Sequence, residues 1–186
     1  MVDTTQAAYD KFENIPLIPY NIISYMINYE NDIWKLLKYN DPNAWKSDSS
    51  HSNLTTEEKS ALIYDGIMPI NNARVFTNLS QDDSILAETS FIRVGLPEII
   101  PTNHIRGAST IGFEILTHYK VSTLSNYQSR ADTIMQKLIA LFNGADIDGI
   151  GRIFFDARVN SRCKAIQIGQ VPYRGRGLIM AANILG

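Results

Sequence analysis

The chain has 186 residues, enough for one domain with a hydrophobic core and an additional segment. Hydrophobic residues make up 45% of it and charged residues 19%, which excludes a wholly disordered chain. The formal net charge of −2 argues against a free-standing nucleic-acid-binding protein, because such proteins normally carry a large basic excess.

The charge is distributed unevenly along the chain. Residues 1–60 contain nine acidic and five basic residues, a net charge of −4. Residues 150–186 contain six basic residues and one acidic residue, a net charge of +5. This asymmetry is typical of a protein that contacts further copies of itself or a polyanion, although a solvated charged face would have the same composition.

The cysteine content and the hydropathy of the chain indicate the cellular compartment of the protein. The single cysteine, Cys163, excludes an intrachain disulfide and a cysteine-based zinc site. Residues 1–16 lack a basic region followed by an apolar one, so no signal peptide is expected. No apolar run approaches the roughly 18 residues that a membrane span needs. We therefore expect a soluble protein from a reducing compartment, with no membrane association.

The N-terminal third has the pattern of helices. Apolar residues recur at helical spacing from Pro19 to Tyr39, which predicts an amphipathic helix with a break near residues 28–31. Thr55 precedes Glu58 by three residues, which predicts a capping box at the start of a short helix that Gly66 ends. We assign residues 1–66 to a helical N-terminal segment.

The pattern changes to that of strands in the middle of the chain. Residues 90–103 have the character of an extended segment, and their two prolines are typical of an edge strand or a bulge. Residues 109–121 alternate between apolar and polar side chains, which predicts a strand with one buried face. The buried face would hold Ile111, Phe113, Ile115 and Tyr119, and the opposite face Glu114 and His118.

The last third predicts a helix and three further strands. An apolar stripe over residues 129–142 indicates a helix that covers the sheet, with Asn143 and Gly144 at its C-terminus. The fold class is therefore α+β: a mostly antiparallel sheet packed on this helix, with residues 67–186 as one domain. The predicted core consists of Phe91, Ile111, Phe113, Ile115, Ile134, Leu138, Leu141, Ile153, Phe155, Ile166, Ile168, Ile179 and Ile184.

The stretch "ADIDGIGRIFF", residues 145–155, has the composition of a metal or phosphate loop but not its spacing. A calcium loop that started at Asp146 would need ligands at its fifth and twelfth positions, which hold Ile150 and Ala157. A phosphate-binding glycine loop follows a strand and opens a helix, whereas this one follows a helix and opens a strand. The stretch is expected to form a helix-to-strand corner.

No catalytic, cofactor-binding or metal residues are expected. The three histidines, His51, His104 and His118, lack metal-ligand spacing, and no G-x-S-x-G nucleophile motif is present. Cys163 has cationic neighbours but no histidine close to it in sequence. The protein is therefore predicted not to be an enzyme.

One enzymatic alternative stays open. A small nuclease could use the carboxylates of Asp146, Asp148 and Asp156 with magnesium, provided that all three converge on one ion.

The candidate interface is basic. The string "PYRGRG" predicts a hairpin tip that presents Arg174 and Arg176 to DNA phosphates or to carboxylates of a neighbouring subunit, and the near-neutral net charge favours the carboxylates. The full set of candidate interface residues is Arg152, Arg158, Arg162, Lys164, Arg174 and Arg176.

Several strings in residues 70–186 resemble a known family. They are "RVF", "IRVGLPEIIPTN", "IGFEILTHYK", "RADTIMQKLIALFNG" and "IGRIFF…CKAIQIG…YRGRGLIMAANI". In their order they are similar to neck proteins of tailed bacteriophages, and in particular to the tail terminator family, also described as tail-completion or head-to-tail joining proteins.

The resemblance implies a structural virion protein that forms a ring of six copies, with genomic DNA passing through the lumen without sequence recognition. Its other partners would be adjacent portal-side neck proteins and tail-tube or sheath proteins. Location in the virion neck, after assembly in the host cytoplasm, and the absence of cofactors follow from the same resemblance. The alternative within this class is a portal-side connector, adaptor or stopper, with twelve copies.

Overall fold

The computed structural model describes residues 15–46, 51–79, 87–101, 106–147, 149–158 and 160–185. These residues form four α-helices and a seven-stranded, mostly antiparallel sheet, so the α+β prediction is confirmed. The helices are α1 (Ile18–Tyr29), α2 (Asp32–Lys38), α3 (Thr56–Ser60) and α4 (Arg130–Phe142). The strands are β1 (Val75–Phe76), β2 (Ser90–Pro101), β3 (Arg106–His118), β4 (Asp146–Ile147), β5 (Gly151–Phe154), β6 (Lys164–Ile168) and β7 (Tyr173–Leu185).

Two long strands organise the sheet. The strand order is β1-β2-β3-β7-β5-β4, with β6 pairing on the same side of β7 as β5. β3 and β7 pair antiparallel over their whole lengths, from Arg106 opposite Leu185 to His118 opposite Tyr173. The pairing of β1 with β2 is parallel.

The helices pack on one face of the sheet. Ile111, Phe113 and Ile115 of β3 point into a main core that α4 closes with Ile134 and Leu138. Helices α1 and α2 contribute to the same core through side chains that include Ile22, Ile23 and Trp34. The division of the chain at residues 66 and 67 stays a prediction, and the N-terminal helices share their hydrophobic core with the sheet.

Local capping explains the helix boundaries at the N-terminus. Helix α1 ends where expected, because Oε1 of Glu30 accepts hydrogen bonds from the backbone N–H groups of Asn31, Asp32 and Ile33 and so starts α2. The predicted capping box is confirmed, with Thr55 and Glu58 bonded reciprocally. The prediction that Gly66 ends this helix is wrong, since α3 stops at Ser60.

The structure corrects two predictions about the C-terminal end of β3. His118, predicted to be solvated, is buried, whereas Tyr119, predicted to be buried, is 60% exposed. His118 is buried because β3 is a central strand with both faces covered. Tyr119 is exposed because β3 ends at His118 and Tyr119 begins the turn that follows. The second face carries its own apolar cluster, formed by Ala73, Phe76, Phe91 and Leu116.

The predicted core of the last two strands is partly wrong. Leu178, Met180 and Ala182 of β7 face the main core, so Ile179 points to the other face and is only half-buried. Ile166 is 43% exposed, because β6 lies at the edge of the sheet. The remaining expected core side chains divide as follows: Phe91, Ile111, Phe113, Ile115, Ile134, Leu138 and Ile153 are buried, Leu141, Phe155 and Ile168 are half-buried, and Ile184 lies outside the described side chains.

The stretch 145–155 forms the expected corner, with a small addition. Residues 146–147 pair with residues 151–152 as a short hairpin before the chain continues along β5. Gly149 and Gly151 adopt φ values of 75° and 77°, which an L-residue with a side chain rarely adopts. The glycines therefore serve the turn geometry.

Candidate anion-binding cleft and the basic residues

Arg174 and Arg176 do not lie at a hairpin tip, contrary to the prediction. The β6–β7 connection spans residues 169–172, and both arginines lie within β7. The strand begins earlier than the sequence suggested because its ladder with β6 continues to Gly175, opposite Ile168, and its ladder with β3 to Tyr173.

Their position in β7 directs both arginines to the helical side of the sheet. Residues 174 and 176 share the alternation of Leu178 and Met180, which face the main core. Nε of Arg176 donates to Oδ1 of Asp132 in the first turn of α4 at 2.5 Å, and this pairing raises the pKa of Arg176 above its usual value. Arg174 is exposed, and within the described residues it makes no ion pair.

The other four candidate interface residues are dispersed. Arg158 forms a two-pronged ion pair with Asp156, and Arg162 forms an ion pair with Glu98 of β2. Arg152 lies 5.6 Å from the ring centroid of Phe154. Lys164 opens β6 and is exposed. Of the six candidates, the structure brings Arg174 and Arg176 into one cleft.

This cleft lies between the N-terminus of α4 and the strands β6, β7 and β3. It has a volume of about 230 Å³. Hydroxyl, amide and guanidinium groups contribute to its wall, together with one carboxylate. The residues that matter for its chemistry are Thr117, Ser129, Asp132, Gln167, Arg174 and Arg176.

The N-terminus of α4 is capped, so its role in the cleft is electrostatic. Oγ of Ser129 accepts a hydrogen bond from the N–H of Asp132 at 3.3 Å. The first turn still carries the positive end of the helix dipole, which favours an anion nearby. Asp132 supplies one negative charge there, and Arg176 is bound to it.

Thr117 contributes an unsatisfied polar group to the cleft wall. Its side chain is 1% exposed, and its hydroxyl oxygen has no hydrogen-bond partner among the described residues. A buried hydroxyl without a partner carries a desolvation cost, so native structures rarely leave one without a reason.

Sequence reasoning missed Thr117, Asp132 and Gln167. The signal for Asp132 was present, since Ser129 followed by an aspartate three positions later is an N-cap pattern. Thr117 and Gln167 carry no local signal, because each reaches the cleft through strand pairing.

Arg130 is a further residue that the sequence did not single out. It is fully buried and donates to five backbone carbonyl oxygens at 2.6–3.0 Å, those of Leu36, Tyr39, Asn40, Asp41 and Val121. Burial lowers the pKa of Arg130 to about 10, with Asp41 acting in the opposite direction. Its spacing with Ile134 and Leu138 on the buried stripe of α4 was the available signal.

The groups considered for catalysis are placed as follows. In the part of the chain that the structure describes, no cluster of three or more histidine, cysteine or acidic residues could hold a metal ion. Asp148, one of the three carboxylates of the nuclease alternative, lies outside the described residues, as does His104. Cys163 is buried, and its sulfur lies 3.5 Å from the carbonyl oxygen of Phe154.

The acidic N-terminal region uses much of its charge within the fold. Asp32 forms an ion pair with Lys137 of α4 at 2.6 Å, and Glu58 forms one with Lys38 at 2.7 Å. Glu30 caps α2. These contacts leave less unpaired negative charge for other molecules than the net charge of the segment suggests.

One protein family matches most of the fold. The family model YomW matches residues 30–181, which include α2, α3, α4, strands β1 to β6 and most of β7. The chain belongs to the YomW family. YomW is a phage-derived family of the SPbeta prophage type, so the protein is phage-associated.

The match to YomW places the cleft and Arg130 inside the shared region. No curated protein and no solved structure matches the chain significantly. Among the described residues, no helix has the length and apolar character that crossing a bilayer would require.

Proposed function

We propose that this YomW-family protein is a structural component of the virion neck of a tailed phage. It forms a ring that terminates or completes the tail and joins it to the head. Six copies form the ring, and genomic DNA passes through the lumen without sequence recognition. Neighbouring neck, portal-side and tail proteins contact its two faces.

The observation that carries this proposal is that the sheet has two unlike open edges. On one side, β1 pairs with β2 at residues 92 and 93, and the rest of β2 has no strand beside it within the described residues. On the other side, the outer edge of β6 is equally unpaired in that part of the chain. A head-to-tail ring needs two different, mutually complementary surfaces, and two unlike edges meet that requirement.

Exposed apolar side chains mark both edges. Ile100 of β2 is 40% exposed, and Ile166 of β6 is 43% exposed. Along β2, a cleft of about 520 Å³ is lined by apolar side chains that include Ile15, Leu96 and Ile99. Apolar residues at an unpaired edge favour contact with another chain, because burial removes them from water and pairing satisfies the backbone.

A non-enzymatic role is part of the same proposal. Several of the described carboxylates are engaged in caps and ion pairs, as Asp156 is with Arg158 and Asp32 with Lys137. A portal-side connector of twelve copies would use the same two edges and differ in the angle between neighbours.

Deletion of the gene from its phage tests the proposal. We expect full heads and complete tails that accumulate separately, and rejoining when the wild-type protein is supplied. Negative-stain images of a lysate distinguish the products. Normal virions from the deletion, or particles without tails of any kind, would contradict a role in head–tail joining.

A further inference from the structure

We propose that the cleft between α4, β6 and β7 is a binding site for a single carboxylate, contributed by an aspartate or glutamate side chain of another protein chain. Arg174 provides the principal cation, and Thr117 and Gln167 provide hydrogen-bond donors. The inference does not depend on the position of the protein in the neck.

Three independent features meet at this cleft. Arg174 is a cation without an ion-pair partner in the described structure, and it lies on the wall of the cleft. The hydroxyl of Thr117 is buried in the same wall without a hydrogen-bond partner. The positive end of the α4 dipole lies beside them. An anion would stabilise each feature, and Arg174 and the Thr117 hydroxyl have no partner of their own within the described fold.

The ion pair of Arg176 with Asp132 shapes the site. The pair holds the Arg176 guanidinium against α4 through Nε, which leaves its remaining N–H groups available in the cleft wall. A guanidinium held in this way loses little side-chain entropy when it binds a second carboxylate. Arg174 and Arg176 are two residues apart on one strand face, so both can reach one ligand.

The size of the cleft favours a side chain over a larger ligand. Its volume of about 230 Å³ is below the roughly 300–1,000 Å³ of sites for whole small molecules. One carboxylate and its methylene groups fit this space, and they enter as part of a chain that supplies further contacts outside.

The charge of the cleft favours a protein carboxylate over DNA. Duplex DNA presents a charge about every 1.7 Å along its axis, so a bound phosphate would bring further phosphates toward Asp132. An isolated glutamate brings one charge, which Arg174 neutralises. The cleft carries a net charge of about one positive unit from two arginines and one aspartate.

A titration of the isotope-labelled full chain tests the proposal. The probe is the capped peptide Gly-Gly-Glu-Gly-Gly, and its glutamine counterpart is the matched control. We expect saturable shifts of the backbone amide signals of Ala131 and Asp132 with the glutamate peptide, at a dissociation constant on the order of 1 mM. The glutamine peptide should give no saturable shifts. Equal shifts with both peptides, or none with either, overturn the proposal.

Two variants separate the cleft from general charge. Arg174→Gln should weaken binding at least about tenfold, because it removes a charge-assisted bond. Arg158→Gln removes an arginine outside the cleft and should leave binding unchanged. Loss of binding in both variants, or in neither, contradicts the site.

Thr117→Val supplies a readout that a purely structural role would not give. Valine keeps the volume and removes an unsatisfied hydroxyl, so we expect unchanged or higher thermal stability together with roughly two- to tenfold weaker peptide binding. Lower stability would mean that the hydroxyl is already bonded in the fold, which overturns its assignment.

A 20-base-pair DNA duplex tests the alternative ligand. If the duplex shifts the amide signals of Ala131 and Asp132 and the glutamate peptide does not, the cleft binds phosphate and the carboxylate proposal is rejected.

Discussion

The guanidinium of Arg130 donates a hydrogen bond of 2.8 Å to the carbonyl oxygen of Leu36, which is 94 residues away in the chain. Through this contact and four others, one side chain of α4 binds the C-terminal end of α2 and the segment before α4. Arg130 therefore joins the N-terminal helices to the sheet domain.

Arg130→Met should destabilise the protein by about 3 kcal/mol or more, because it removes five hydrogen bonds to backbone carbonyl oxygens. Arg130→Lys keeps the charge but has three donors, and we expect an intermediate loss. Urea unfolding followed by circular dichroism measures both. Arg152→Met, a change at an exposed arginine, serves as the control and should have little effect. Equal stability of Arg130→Met and wild type would show that the five bonds contribute nothing.

Gly175 lies in β7 against the backbone of β3. A Cβ atom at this position would lie 1.7 Å from the carbonyl oxygen of Ile115, so the two strands would have to separate. We expect Gly175→Ala to cost about 3 kcal/mol or to prevent folding. Gly177→Ala meets only movable side-chain atoms at 3.1–3.2 Å and should cost less.

Gly66→Ala is the matched comparison for backbone strain alone. Gly66 has a φ of 86° and open space around its Cα, so alanine there should cost about 1–2 kcal/mol. Thermal unfolding should therefore rank Gly175→Ala as the most damaging of the three changes. A different order would mean that β3 and β7 can adjust their spacing.

The pH dependence of stability should show a loss at acid pH. Oδ1 of Asp65 accepts hydrogen bonds from the N–H groups of Ile67 and Met68, both at 2.8 Å, and these bonds hold the pKa of Asp65 below its ordinary value of 3.8. The pKa values of Asp41, Glu58 and Asp156 are lowered as well.

A carboxyl group with a lower pKa in the folded state binds fewer protons there than in the unfolded state. Its contribution is complete above the unfolded pKa and is lost as the pH falls through the folded pKa. Urea midpoints should thus be steady down to about pH 5 and fall below it. Asp65→Asn should flatten this fall, and Asp146→Asn on β4 is the control. If the urea midpoint rises as the pH falls below 4, the carboxyl pKa values are not lowered in the folded state.

Assembly should depend on the exposed edge of β6. Ile166→Asp should prevent ring formation and leave the fold intact, because burial of an unpaired carboxylate at a contact between chains is unfavourable. Ile67, which is 90% exposed in a turn, provides the control change Ile67→Asp. Mass photometry, or imaging of particles supplied with each variant, compares the two. Rings formed by Ile166→Asp would place the contact between subunits elsewhere.

The sequence by itself determined the local structure of this protein. Caps and periodicity are interactions between residues close in the chain, so the Thr55–Glu58 box, the break at Glu30, helix α4 and the inward face of β3 could be predicted. The single sequence also carried the resemblance to phage proteins, which the YomW match bears out at the level of a phage-associated family.

Only the tertiary structure decided which side chains of β7 face the core and which groups its arginines contact. Leu178, Ile179 and Met180 are all apolar, so alternation cannot say which of them faces the core, and pairing with β3 selects Leu178 and Met180. That choice turns Arg176 toward Asp132 of α4. It also brings Arg174 and the unpartnered hydroxyl of Thr117 to one cleft, because strand register is set by partners that are distant in the chain.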